Sequence, residues 1–297
     1  MRITFNSLFR DGMRNVETAS DSLLEAQRLV SSGKRVERGS DDPSAAAGGL
    51  ANRAELATVQ RYEKAADSVY SRLTVVDTVM SDIITMLTHA QTAVMSAQGT
   101  KTTAQREAAA QDLEGVRSAI ADDLNTSFNG TFLFGGAKST TPPYTKASNG
   151  TVSAYAGSAT EIDVDINRNS SVTVVLNGAS IAQGGAPADV FSVLEDAIAA
   201  ARAGDSTALD TAMDGLREAF ERATAVQTRV GTDMRAIDGE KVRLEEMRIA
   251  AMSRVSKLED ANLAEAVSSM NRADTAYRAA LGAVSTASRV SLLDYLG

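Results

Sequence analysis

The feature that most constrains this chain is that its two ends carry matching apolar stripes at helical spacing. At the N-terminus the step alternates between three and four residues through Phe5, Phe9, Gly12, Val16, Ala19, Leu23, Ala26 and Val30. At the C-terminus it runs Leu263, Val267, Met270 and, past polar Asp274, Tyr277, Leu281 and Val284. A mean repeat near 3.5 residues keeps a narrow seam on one side of a helix, the geometry of coiled-coil packing. Two such helices at opposite ends predict a chain that runs out and returns, so that its ends pair. Neither end offers a side chain for catalysis, which points to assembly rather than to an enzyme.

The interior is read from its punctuation. Gly33 suits a helix C-cap, and Asp42-Pro43 an N-cap followed by proline at the first helical position, so residues 31–42 form a connector. The strongest helical signal follows: Tyr62, Ala66, Val69, Leu73, Val76, Met80, Ile83, Leu87, Ala90, Val94 and Ala97 form an unbroken heptad stripe that Gly99 ends. A third helix over 103–128 carries Leu113, Val116, Ile120, Leu124 and Phe128 on one face. At Asn129-Gly130 the period changes to two. Thr131–Gly136 reads as strand and turn, Glu161–Ile166 alternates strictly, Asn167-Arg168-Asn169 turns, and Val172–Leu176 forms a second strand. Helical grammar resumes near Ala188, breaks at Gly204-Asp205, and continues from Thr207 toward residue 290. The stripe Val230, Met234, Ile237, Leu244, Ala251, Val255, Leu258 slips by one residue at Asn262, which marks a joint.

The expected fold is therefore mainly α with a small β-rich insert: paired N- and C-terminal coiled-coil helices, a long helical-bundle body, and an inserted β domain at the tip. Residues 1–42 with 260–297 form the terminal coiled-coil domain, 43–129 with 187–259 the bundle, and 130–186 the insert.

Charge narrows the function. The net charge of −8 argues against a nucleic-acid binder, which needs a basic stripe to displace counterions. Residues 1–60 are neutral overall and 231–297 carry −1, so −7 sits in 61–230. Near-neutral ends suit surfaces that pack against copies of themselves, while an acidic middle keeps the exposed part soluble. There is no cysteine, hence neither a disulfide framework nor a thiolate metal site. Nothing approaches a membrane span, and MRITFNSLFRDGM has no continuous apolar stretch of the kind a cleavable secretory signal carries.

Chemistry is sparse. His89, the one histidine, stands on the 62–97 helix beside seam residue Ala90 without a cysteine partner, and reads as packed or solvated. Glu161, Asp163 and Asp165 alternate along one strand face and could hold a cation, or could simply discourage strand aggregation. Gly33-Lys34 lacks the other parts of a phosphate loop. The pairs Gly48-Gly49, Gly135-Gly136 and Gly184-Gly185 read as turns. No catalytic residues, cofactor or metal are expected.

Two motifs give the chain relatives. Ser32-Gly33-Lys34-Arg35-Val36, five residues before Asp41-Asp42-Pro43-Ser44-Ala45-Ala46, resembles the N-terminal signature of bacterial flagellins and their junction proteins. Paired helical ends enclosing an insert resemble the same superfamily. Within it, Met1-Arg2-Ile3, Asp41-Asp42-Pro43 where flagellins carry Asp-Asp-Ala-Ala-Gly, the segment Asn129-Gly130-Thr131-Phe132-Leu133-Phe134-Gly135-Gly136 and the ending Ser291–Leu296 are similar to the hook–filament junction proteins.

That resemblance implies an extracellular structural adaptor of the flagellum, exported by the type III pathway with a chaperone on the C-terminal helix. Its expected partners are copies of itself in a ring, the first hook-associated protein on the hook side and flagellin on the filament side, with no nucleic acid and no membrane. A filament-building flagellin, major or minor, is the alternative. The expected assembly interface comprises Phe5, Phe9, Val16, Leu23, Val30, Leu263, Val267, Met270, Tyr277, Leu281, Val284, Leu292, Leu293 and Leu296. Gly33, Asp41, Asp42, Pro43, Asn129, Phe134 and Gly135 carry the signature. A seam built on Gly12, Ala19 and Ala26 buries little area per residue, at roughly 25 cal/mol per Å², against an ordering cost of about 1–2 kcal/mol per residue. The ends are therefore expected to be loose until they meet neighbours.

Overall fold

The computed structural model describes residues 5–148, 150–183 and 189–296, with the side chains of 9–286 among them. It is mainly helical, with two small antiparallel sheets. The chain forms two compact units, residues 1–58 with 247–297 and residues 59–246.

The unit made from the two ends contains α1 (Phe5–Ser32), the start of α2 (Pro43–Ala97), the end of α6 (Ser206–Glu259) and α7 (Leu263–Leu296). α1 packs along α7. The pairing is antiparallel: Ala261 N–H donates to the Gly33 carbonyl at 2.9 Å, and a Cβ at Gly12 would lie 2.9 Å from Val284 Cγ2. Asp42 caps α2, its Oδ1 accepting from the Ser44 and Ala45 amides at 3.1 and 3.0 Å, and Pro43 opens the helix, where a missing N–H costs nothing. Asn262 caps α7 through the Ala264 amide at 3.2 Å. The slip in the stripe at this residue is thus a true break between α6 and α7.

The larger unit is built on the heptad stripe of α2. Ala66, Val69, Leu73, Val76, Met80, Ile83, Leu87, Ala90, Val94 and Ala97 are all buried. They join α3 (Thr103–Leu124), α5 (Val190–Ala203) and α6 in one hydrophobic cluster with Leu113, Ile120, Leu194, Leu216, Val230 and Ile237. Thr102 and Gln105 close a capping box on α3, and Gly204, at φ +73°, ends α5.

The β-rich segment shares this cluster through Leu133, Phe134, Tyr144, Ile166 and Val172. Strands β1 (Ser127–Phe128) and β2 (Thr131–Phe132) pair Phe128 with Thr131. Asn129 and Gly130 between them both take positive φ, +50° and +78°, the two-residue turn whose twist suits a hairpin. Strands β3 (Ile162–Asn167) and β4 (Ser170–Val175) pair Val164 with Val172, with register shifts at Ile162/Asp163 and Asp165/Asn167. A short helix, α4 (Gly178–Ala182), follows where the sequence predicts no helix; the Asn177 side chain caps it through the Ala179 amide at 3.0 Å.

Of the glycine pairs expected to turn, Gly184-Gly185 lies outside the described residues and one of the other two departs from expectation. Gly48-Gly49 makes no turn but lies inside α2. A Cβ at Gly48 would stand 3.2 Å from Leu258 Cδ1, and one at Gly49 2.5 Å from Glu259 Oε1, so the pair lets the end of α6 approach the α2 backbone. Gly135-Gly136 does turn: Gly136 has φ +57°, and a side chain there would run into the Ser158 carbonyl.

Candidate assembly surface and the clasp at its root

The terminal stripes divide into two faces. On α7 the half-buried Met270, Tyr277 and Val284 alternate with the small residues Ala266, Ala273 and Ala280, which allow close approach of α1. Leu263, Val267 and Leu281 lie to one side of that face and are exposed. On α1, Val16, Leu23 and Val30 are half-buried and Ala26 is buried, while Phe9, Met13 and Leu24 are exposed. A 3.5-residue repeat drifts round a 3.6-residue helix, so one stripe can supply both a pairing seam and a flank beside it. A cleft of about 290 Å³ opens between the two helices at Phe9, Gly12, Asn15, Ala280 and Val284. Of the expected interface, the side chains of Phe5, Leu292, Leu293 and Leu296 lie outside the described residues.

The connector after α1 explains the signature. Gly33 takes φ +66°, sparing a side chain the left-handed strain, and presents its carbonyl to Ala261. Lys34 and Asp260 form an antiparallel bridge. The amides of Arg35 and Val36 both donate to the Glu259 carbonyl, at 2.7 and 3.3 Å, and the Arg35 guanidinium donates to the Leu258 carbonyl at 2.9 Å. A helix leaves its last carbonyls without intrahelical partners; α6 has two of them capped by residues far away in sequence. Val36 is buried at this bridge.

Asp41 and Asp42 shape the rest of the connector. Asp41 Oδ2 accepts from the Arg38 and Glu37 amides at 2.9 and 3.1 Å, and these bonds hold its carboxyl below the usual range. The amide of Ala45, with the Ser44 side chain, does the same for Asp42, whose Oδ2 also faces Arg35 at 3.4 Å.

Beneath the connector, Glu259 is buried, its side chain only 6% exposed. It accepts from Arg53 of α2, and Lys34 stands 3.7 Å away. Arg254 ties the same elements together through Asn52 and Glu55, at 3.0 and 2.8 Å. Sequence reasoning missed Glu259 and Arg53, neither of which belongs to a motif. The slip in the stripe at Asn262, three residues past Glu259, was the one signal near that residue.

The second signature element lies in the larger unit. Phe134 is fully buried, and its carbonyl accepts from Gly178 N–H and the Tyr155 hydroxyl, both at 2.9 Å. Gly135 bridges to Asn177, and a Cβ there would crowd the Lys138 carbonyl at 2.9 Å. Arg72 of α2, also unforeseen, donates to the Val174 carbonyl at 2.6 Å and to Thr131 Oγ1 at 2.9 Å, tying both hairpins to the helix; partial burial lowers its pKa. These are structural roles.

Two of the three side chains on the acidic strand face are taken up likewise. Glu161 pairs with Arg229 at 3.0 Å, and Asp163 accepts from Thr173 Oγ1 at 2.8 Å, while the register shifts interrupt the alternation. Among the described residues no group of three or more His, Cys, Asp or Glu side chains could hold a metal ion, and no helix is long and apolar enough to cross a membrane. His89 is exposed.

Comparison with known proteins agrees with this architecture. Residues 3–139 match the bacterial flagellin N-terminal helical region and residues 213–296 the bacterial flagellin C-terminal helical region. The chain is 24% identical over 316 residues to flagellar hook-associated protein 3 of Escherichia coli, covering 98% of each. It is 24% identical over 258 residues to flagellar hook-associated protein 3 of Salmonella typhimurium, covering 79% of this chain and 80% of that one. The crystal structure of flagellar hook-associated protein 3 from Legionella pneumophila shares the fold at a TM-score of 0.64 and 12% identity, over 70% of this chain and 98% of that one. The two matched regions together span most of the chain, which belongs to the bacterial flagellin superfamily and, over almost its whole length, is similar to a flagellar hook-associated protein 3.

Proposed function

We propose that this chain is the adaptor subunit that joins hook-side subunits to the flagellin filament, and that it assembles through its terminal helices. The observation that carries this reading is where apolar surface is left uncovered. Of twelve large hydrophobic side chains exposed among the described residues, ten belong to the unit built from the chain ends. Exposed apolar side chains gathered on one region mark a surface that a partner covers. The ends carry almost no net charge, so little repulsion opposes the approach of a second copy. In this reading copies form a ring, the first hook-associated protein lies on one side and flagellin on the other. The full-length relatives are named for the hook, which favours the adaptor over a filament flagellin.

Leu281→Asp tests it. Leu281 is 43% exposed, so the isolated protein loses little, whereas a charge buried between subunits costs about 2–4 kcal/mol per copy. Cells carrying only this variant should build hooks, release flagellin into the medium and bear no attached filaments. Attached filaments of normal length, with the variant present, would overturn the adaptor reading.

Export belongs to the same proposal: the N-terminal segment serves as the type III signal, and a chaperone covers the apolar flank of α7 until release. Deleting residues 2–20 should leave the protein inside the cell. Its normal appearance in the medium would refute this route.

A further inference from the structure

We propose that Glu259 is the positioning residue of the terminal helix pair: it locks the connector 33–42 and the α6–α7 joint onto the base of α2, and the pair assembles only while that clasp is shut. The role in assembly rests on the reading above; the clasp itself does not. Three segments converge on this residue. Its backbone carbonyl caps α6 by accepting from Arg35 and Val36, its carboxylate accepts from Arg53 of α2, and Lys34 of the connector adds a second cation. The seat is made to measure, because Gly49 is buried against Oε1 and any side chain there would displace the carboxylate.

The clasp is poised to act locally. Arg53 and Lys34 are each about half exposed, so they return to water at little cost if the carboxylate is removed. The core of the larger unit has no part in these contacts. Glu259 is therefore spent on direction rather than on stability. With the carboxylate gone, the connector keeps its covalent link but loses its anchor on α2, and the exposed flanks of α1 and α7 no longer meet a neighbour in one orientation. Holding groups in the bound geometry beforehand removes an ordering cost from association.

Amide exchange in the full-length monomer reads the clasp without reference to assembly. In Glu259→Ala the amides of Arg35, Val36 and Ala261 should exchange at least about tenfold faster, with thermal melting of the larger unit unchanged. Arg53→Met should act in the same direction. Glu259→Gln, which keeps the shape and an acceptor for Arg53, should retain most of the protection. The same strains should lose attached filaments in proportion to the lost protection. Wild-type exchange at these three amides in Glu259→Ala would overturn the clasp. Opened amides with normal filament attachment would overturn its role in assembly. Should Leu281→Asp leave assembly intact, the adaptor reading falls, while the exchange of Arg35, Val36 and Ala261 still decides whether Glu259 holds the joint.

Discussion

Single side chains in this protein do structural work that their local sequence does not announce. Asp123 on α3 illustrates it. Partial burial, with Asp82 and Asp122 nearby, raises its carboxyl from 3.8 to about 6. A carboxylate raised on folding binds its proton more tightly in the native chain than in the unfolded one, so stability falls as pH rises from 3.8 to about 6 and stays lower above. Asp123→Asn removes that loss. The variant should melt higher than the parent at pH 8, by about 1 kcal/mol or less once solvent screening is allowed for, and the two should converge near pH 4 and below. Equal melting temperatures at pH 8 would show that the proton linkage is absent. Arg72, Glu259 and Arg53 make the same point: none belongs to a motif, and each becomes a tie between distant segments only when the chain is folded.

At the level of elements, apolar period and punctuation carried most of the information. The heptad stripe of α2 proved buried along almost its whole predicted length, because a seam of this regularity has one way to leave water. Asn129-Gly130 marked the hairpin because few residue pairs accept two positive φ values. The same logic misjudged Gly48-Gly49, since a glycine admitted for close packing looks in sequence like one admitted for a turn. It also passed over α4, too short to show a period. Ile83→Asp puts a charge where 1% of the side chain is exposed, and should unfold the larger unit at a cost of about 4 kcal/mol or more. A cooperative melt within a few degrees of the parent's would mean the stripe is not the core it is taken to be. Leu281→Asp, on an exposed flank, should leave that melt alone, and the contrast separates seams that fold the chain from flanks that assemble it.

For the whole molecule, the boundaries of the compact units fall inside α2 at Thr58/Val59 and inside α6 at Glu246/Met247, whereas the reading from sequence drew them at the connector and the α6–α7 joint. Loops are visible to sequence grammar; a change of packing partner halfway along a continuous helix is not. The larger unit is one uninterrupted stretch with its own core, so the fragment 59–246 should fold alone and show a cooperative helical melt close to that of the full chain. A fragment without helical signal would show that the terminal unit supports the core.

Periodicity, capping residues and turn dipeptides are local, and they were enough to set the mainly helical course with α6 and α7 as one stretch jointed at Asn262, the β-rich insert, the return of the chain to its start and, through the Gly33 to Pro43 and Asn129 to Gly136 motifs, its superfamily. Which part of a terminal stripe pairs and which stays uncovered could not be read there, nor that a connector caps a helix some 220 residues further on, nor that one buried glutamate gathers three segments. Those depend on a few tenths of an ångström between backbones brought together by folding, and no local pattern of residue types encodes that separation.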